Sequence, residues 1–213
     1  MNPAQLQILD DILKGAPVVP VLSIAKLEDA VPLARALCAG GLRVLEITLR
    51  SEIALTAITE IARAVPEAIV GAGTVLNAVH LEQVIAAGAR FAISPGATPS
   101  LLAAGLASRI PLLPGIATAS EIMVGLNSGY TRFKFFPAES SGGINAIKAF
   151  AGPFKGVRFC PTGGIDAALA PHYLTLDNVI TVGGSWMAPS ALIAAKDWAG
   201  ITELARACTR LAA

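Results

Sequence analysis

The chain has 213 residues, 54% of them hydrophobic, and its 16 basic and 15 acidic residues leave a formal charge of +1. That is enough apolar material for one large core and most simply one domain spanning 1–213. The few scattered charges do not make a nucleic-acid or membrane surface, so a small-molecule partner is expected.

The opening run MNPAQLQILDDILKG has no basic segment followed by an apolar one, so it does not read as a secretion signal. It predicts a first helix, with Asn2 as cap and Pro3 in the opening turn. Eight short β-rich runs follow: VVPVLSI from Val18, VLEITL from Val44, IVGAGTV from Ile69, FAISP from Phe91, PLLPGIA from Pro111, RFKFFP from Arg132, RFCPTGGI from Arg158 and VITVGGSW from Val179. Their spacing, roughly 20 to 26 residues, is about one strand plus one helix. Ala-rich segments between them carry helix signals: Thr118 with Glu121 as a capping box, Thr98 before Pro99, Asn77 and Asp166 as caps, Gly40 and Gly88 as stops. In the segment from Leu27 to Cys38, the residues Leu27, Ala30, Val31, Ala34, Leu37 and Cys38 form one stripe expected to face a sheet.

Eight βα units in about two hundred residues predict a single-domain α/β protein, a (β/α)8 TIM barrel with an extra N-terminal helix. A doubly wound open sheet is the alternative. In both, functional residues gather at the carboxyl ends of the strands. The long uncharged stretches Phe91 to Ser108 and Asn178 to Ala195 are broken by proline and glycine and do not predict membrane helices. Cys38, Cys160 and Cys208 are few and far apart, which fits reduced thiols in a cytoplasmic protein.

Strand alternation places Val44, Glu46, Thr48 and Arg50 on one face and Leu45, Ile47 and Leu49 on the other, so the polar face is expected inside the barrel. By the same rule Lys134 points inward with Arg132 and Phe136, while Phe133 and Phe135 pack outward. A lysine in so apolar a run is partly desolvated, which disfavours its charged form, and a neutral amine attacks carbonyls. Lys134 and Glu46 sharing one enclosed space read either as a structural ion pair, often not worth its desolvation, or as an acid/base set. Two glycine-rich strand ends, PTGGI (Pro161 to Ile165) and VGGSW (Val182 to Trp186), close the seventh and eighth runs, and the loops after those strands are where barrel enzymes commonly bind phosphate. Glycine permits close backbone approach, and Ser185 adds a hydroxyl, so a phosphorylated ligand is inferred. His80 and His172 sit in predicted helices without a ligand cluster, so no metal site is expected. GAGT (Gly71 to Thr74) lacks the third glycine of a dinucleotide fingerprint.

The segments GLRVLEITLR, VGAGTVLN, FAISPG, PLLPGI, RFKFFPAE, RFCPTGGI and GGSW together resemble the 2-keto-3-deoxy-6-phosphogluconate aldolase family, which includes 4-hydroxy-2-oxoglutarate aldolase activity. The resemblance runs through essentially the whole chain, less distinctively at both termini and from Pro189 to Trp198. It implies a cytoplasmic, cofactor- and metal-free class I aldolase of the Entner–Doudoroff pathway, assembled as a homotrimer. Carried over residue by residue, it makes Lys134 the Schiff-base lysine and Glu46 the acid/base. It gives Arg50 and Thr74 the pyruvate carboxylate, Pro95 and Phe136 its pocket, and Thr162, Gly163, Gly164, Gly184 and Ser185 the far end of the substrate and its phosphate. The rivals are the same chemistry on 2-keto-3-deoxy-6-phosphogalactonate, and a non-catalytic barrel that binds a sugar phosphate.

Overall fold

In the computed structural model, which describes residues 1–212, the chain opens with helix α1 (Pro3–Lys14). Asn2 caps it as expected: its side chain accepts from the Gln5 amide, and the Gln5 side chain returns the bond in a full capping box. Parallel strands then alternate with helices: β1 (Val18–Leu22), α2 (Leu27–Ala39), β2 (Val44–Thr48), α3 (Ala54–Ala64), β3 (Ile69–Gly73), α4 (Ala78–Ala86), β4 (Ala92–Ile93) and α5 (Pro99–Ala107). The second half runs β5 (Leu112–Leu113), β6 (Gly115–Ile116), α6 (Ala119–Asn127), β7 (Arg132–Phe135), α7 (Gly143–Ala151), β8 (Arg158–Pro161), α8 (Ala170–Leu174), β9 (Val182–Gly184), α9 (Ser190–Ala194) and α10 (Trp198–Thr209).

The strands form a curled parallel sheet in two parts, ordered β5-β4-β3-β2-β1-β9 and β6-β7-β8. Neighbours in space are neighbours in sequence, apart from β1 beside β9, so no order reversal of the doubly wound kind occurs. The fifth predicted run is split: Pro114 lies between β5 and β6, and a proline has no N–H to give the ladder. Single parallel bridges, Phe159 with Val179 and Thr162 with Gly183, connect the β8 segment to the β9 segment.

The caps predicted at Thr98, Asn77 and Thr118 are formed, the last as a capping box with Glu121. Gly40 caps α2, whereas Gly88 lies one residue beyond the cap of α4 with φ +97°. Asp166 caps the turn ahead of α8, accepting from the Ala168 and Leu169 amides, and not α8 itself. The stripe on α2 is wider than expected: Ala30, Ala34, Leu37 and Cys38 are buried and Val31 partly so, Leu33 and Ala36 are buried as well, and of the expected residues Leu27 is exposed. The helix packs against α3 and α10 as well as the sheet, and three contacts bury a wider arc than a single one.

Two cores result. The larger lies between the sheet and its outer helices and takes Leu45, Ile47, Phe133 and Phe135. The smaller lies on the concave face, where Leu9, Ile12 and Leu13 of α1 pack on Val19, Val44, Phe91, Ile93, Leu113 and Cys160. Helix α1 therefore plugs the amino ends of the strands and leaves the carboxyl ends open. Asp10 holds it there by accepting from Arg132 Nε at 2.6 Å and Nη2 at 2.8 Å, a charge-assisted fork.

Burial alone would raise the Asp10 pKa, but the Arg132 bond and charge, with Lys14 and Arg158, outweigh it and hold the carboxyl below its usual value. A depressed folded pKa means stability present above the unfolded value, near pH 4, and lost as pH falls through the folded one. Asp10→Asn is expected to cost about 2 kcal/mol at neutral pH, the worth of hydrogen bonds to a charged partner. Urea unfolding followed from pH 7 to pH 3 checks both the cost and its shrinkage in acid.

Candidate active site

Glu46 and Lys134 meet on the concave face. Lys134 Nζ donates to Glu46 Oε1 at 2.9 Å, the two residues being 5% and 1% exposed. Both were placed there by strand alternation, and the outward packing of Phe133 and Phe135 matches the same rule. The amine therefore faces a carboxylate and the Phe136 ring, whose centroid is 5.3 Å from Nζ. Arg132, which shares its face, is engaged by Asp10 at the plugged end and takes no part in this pair.

Glu46 precedes Thr48 by two residues on β2, and Lys134 precedes Phe136 by two on β7. Thr48 and Phe136 both line a cavity of about 450 Å³ at the carboxyl ends of the strands. The ion pair thus sits one pleat beneath the cavity floor. Around that cavity the structure gathers Arg50, Thr162, Gly163, Gly164, Gly184 and Ser185, six residues singled out from sequence. Arg50 is exposed and makes no hydrogen bond or ion pair among the described residues, so its guanidinium is free for an incoming anion. Gly163 and Gly164 take φ +105° and +80°, a backbone that β-carbons resist, and the Ser185 hydroxyl has no partner among the described residues.

Thr74 and Pro95 follow β3 and β4 at the same open end but outside the cavity lining. Thr74 has φ +61°, where a β-branched residue is an outlier costing about 1–3 kcal/mol, and such strain concentrates at functional sites. Cys160, the register partner of Lys134 on β8, borders the pair. Burial pushes its thiol up to about 12 although Lys134 pulls it down, so it stays protonated near neutrality and is no nucleophile. No group of three or more His, Cys, Asp or Glu residues that could hold a metal occurs among the described residues.

An amine bonded to a carboxylate below a cavity with a free guanidinium and bent glycine turns is the equipment of carbonyl chemistry on an anionic ligand. Residues 9–204 match the family described as KDPG and KHG aldolase. The chain belongs to that family. It is 57% identical over 197 residues to the KHG/KDPG aldolase of Escherichia coli strain K12, covering 92% of each protein. Among solved structures it is similar to a Legionella pneumophila KDPG aldolase with pyruvate captured as a covalent carbinolamine intermediate, at TM-score 0.92 and 50% identity over 94% of this chain and 97% of that one. A Zymomonas mobilis KDPG aldolase with 3-phosphoglycerate matches at TM-score 0.91 and 50% identity, over 96% of each chain.

Several residues of this aldolase's cavity escaped the sequence reading: Ser23 after β1, Ile165, and Pro189, Ser190 and Ile193 around the start of α9. Ser23 ends the first run much as Thr74 ends the third, and strand-end position was its available signal. The residues near α9 lie in a stretch without a distinctive motif, and nothing in their types marked them.

Proposed function

We propose that this aldolase cleaves 2-keto-3-deoxy-6-phosphogluconate to pyruvate and glyceraldehyde 3-phosphate through a Schiff base on Lys134. The observation that carries the reading is the 2.9 Å bond from Lys134 to Glu46 beneath the cavity. Moving one proton along that bond leaves a neutral amine, and the amine's lone pair can then add to the C2 ketone of a substrate lying on Thr48 and Phe136. Glu46 gives that proton to the departing hydroxyl, and loss of water leaves Glu46 a carboxylate again and an iminium whose positive nitrogen accepts the electrons of the breaking C3–C4 bond. Glu46 takes the C4 hydroxyl proton, directly or through a water, and returns a proton to C3 of the enamine before hydrolysis frees pyruvate.

Arg50 is assigned to the pyruvate carboxylate with Thr74, whose strained backbone supports a functional role, and Pro95 and Phe136 shape the pocket. Thr162, Gly163, Gly164, Gly184 and Ser185 are assigned to the far end and phosphate. A bound 3-phosphoglycerate in the Zymomonas relative and the open glycine turns here support a phosphate-bearing ligand. The name of the Escherichia coli relative also favours activity on 4-hydroxy-2-oxoglutarate, which carries a carboxylate where the first substrate carries its phosphate arm. A mere sugar-phosphate binder would leave the buried pair without a purpose.

In this reading the two parts of the sheet close as a complete (β/α)8 barrel with α1 as an extra helix, one domain over 1–213. The split fifth run and the single bridges beside β9 are its two seams. The protein acts in the cytoplasm as a homotrimer, for which exposed Leu76, Val79, Met123 and Val124 offer apolar contact surface. No helix among the described residues is long and apolar enough to cross a membrane.

Borohydride reduction with pyruvate tests the chemistry: a covalent adduct on Lys134 is the expected product, and an unmodified Lys134 would overturn the assignment. Arg50→Ala is expected to raise KM for pyruvate-bearing substrates about 10- to 100-fold, the loss of a charge-assisted fork, with a smaller change in kcat. Arg50→Lys, which keeps the charge without the fork, should fall between, and initial-rate kinetics on the three proteins check the order.

A further inference from the structure

The motif GAGT contributes more than its threonine. Residues Ile69, Gly71 and Gly73 share the concave face of β3, and Gly73 adjoins the buried acid. A β-carbon placed on Gly73 would lie 2.0 Å from Glu46 Oε1 and 2.7 Å from both its Cδ and Cγ. Carbon–oxygen contacts that short do not occur, so the Glu46 side chain would have to shift from this position. The oxygen involved is the one to which Lys134 donates.

Glycine is not required here by its backbone, because Gly73 lies in the regular ladder opposite Thr48 and takes no left-handed φ. The missing side chain is therefore what the position supplies. Glu46 is enclosed, and no other partner fixes its carboxylate: the Lys134 bond is its sole side-chain hydrogen bond among the described residues. Its direction is set from two sides, by the amine that attracts Oε1 and by the bare strand surface that receives it.

We propose that Gly73 is a positioning residue for proton transfer, a notch in β3 that seats the Glu46 carboxylate against Lys134. This rests on the reading of Glu46 as the acid/base and adds the element that orients it. Filling the notch should separate two steps of the reaction. The imine of pyruvate still forms on Lys134, but removal of its C3 proton to the Glu46 carboxylate, which leaves the enamine, is slowed because the acceptor has turned away.

The test compares Gly73→Ala with Gly71→Ala. The second change is made on the same strand and face, where the three atoms nearest to a β-carbon all belong to the Phe91 ring and none to the carboxylate. Exchange of the pyruvate methyl protons in D2O, followed by NMR and expressed per folded molecule, reads proton transfer, and the final yield of borohydride adduct reads imine formation. Gly73→Ala should lose about a hundredfold in exchange while retaining the adduct, and Gly71→Ala should keep its exchange within about threefold despite lost stability. Gly73→Ala retaining exchange within threefold, or both variants losing it equally, overturns the proposal. Wild-type protein giving neither adduct nor exchange overturns the aldolase reading beneath it.

The contact can also be read without catalysis, through a double-mutant cycle on melting temperature. Gly73→Ala should lower the melting temperature in the wild-type background and leave it unchanged in a Glu46→Ala background, where the colliding side chain is gone. Equal losses in both backgrounds would mean that the notch does not serve the carboxylate.

Discussion

Lys134→Ala should abolish cleavage, a loss of about four orders of magnitude or more, because among the described residues no other lysine adjoins the cavity to form the imine. The fold should survive the change, but at a cost in stability. Glu46 is 1% exposed and would keep a buried carboxylate without its only side-chain partner among the described residues, and breaking a buried pair from one side costs about 3–5 kcal/mol. The truncated protein should therefore fold with a clearly lowered urea midpoint. Lys134→Met combined with Glu46→Gln, which removes both charges and keeps most of the volume, should recover most of that stability and none of the activity. This contrast separates a pair kept for chemistry from one kept for strength, the two readings that alternation in the sequence left open. Denaturation curves and cleavage rates on the same preparations decide it, and residual turnover in Lys134→Ala would remove the nucleophile from the mechanism.

Much of the site was legible because strand alternation is a local rule. In VLEITLR and RFKFFP it needs only a few residues to sort inside from outside, and Glu46, Thr48, Lys134 and Phe136 all fall where it places them. The glycine pairs were legible for a similar reason, since each stands at a strand end whose position in the chain order marks it. Contacts that join distant segments were not. Asp10 and Arg132 are 122 residues apart, and nothing in either neighbourhood names the other, so Arg132 read as a second cation near the lysine when it is a tether for α1. The exposure of Leu27 reflects the same limit: a stripe on α2 shows one face, but α3 and α10 decide how wide the buried arc becomes. Gly73 lay in plain view within GAGT, yet an absent side chain carries meaning only once the atom that would collide with it is known.

Glu46→Gln is the sharper probe of the acid/base because it changes charge with little change in shape. The amide fits the notch beside Gly73 and can still accept a hydrogen bond from Lys134, so neither the packing of β2 nor the place of the amine should move. What is lost is an oxygen able to take a proton. Imine formation with pyruvate should persist, trapped by borohydride at a reduced rate, while exchange of the methyl protons and cleavage of the phosphorylated substrate both fall by about a hundredfold or more. If one carboxylate handles both the C4 hydroxyl proton in cleavage and the C3 proton in exchange, as proposed, the two losses should be of similar size. If exchange collapses while cleavage persists, a second base must act at C4, and Glu46 keeps only the enamine step. If both survive at full rate, the buried partner of Lys134 is structural, and the proton acceptor has to be sought among the residues lining the cavity.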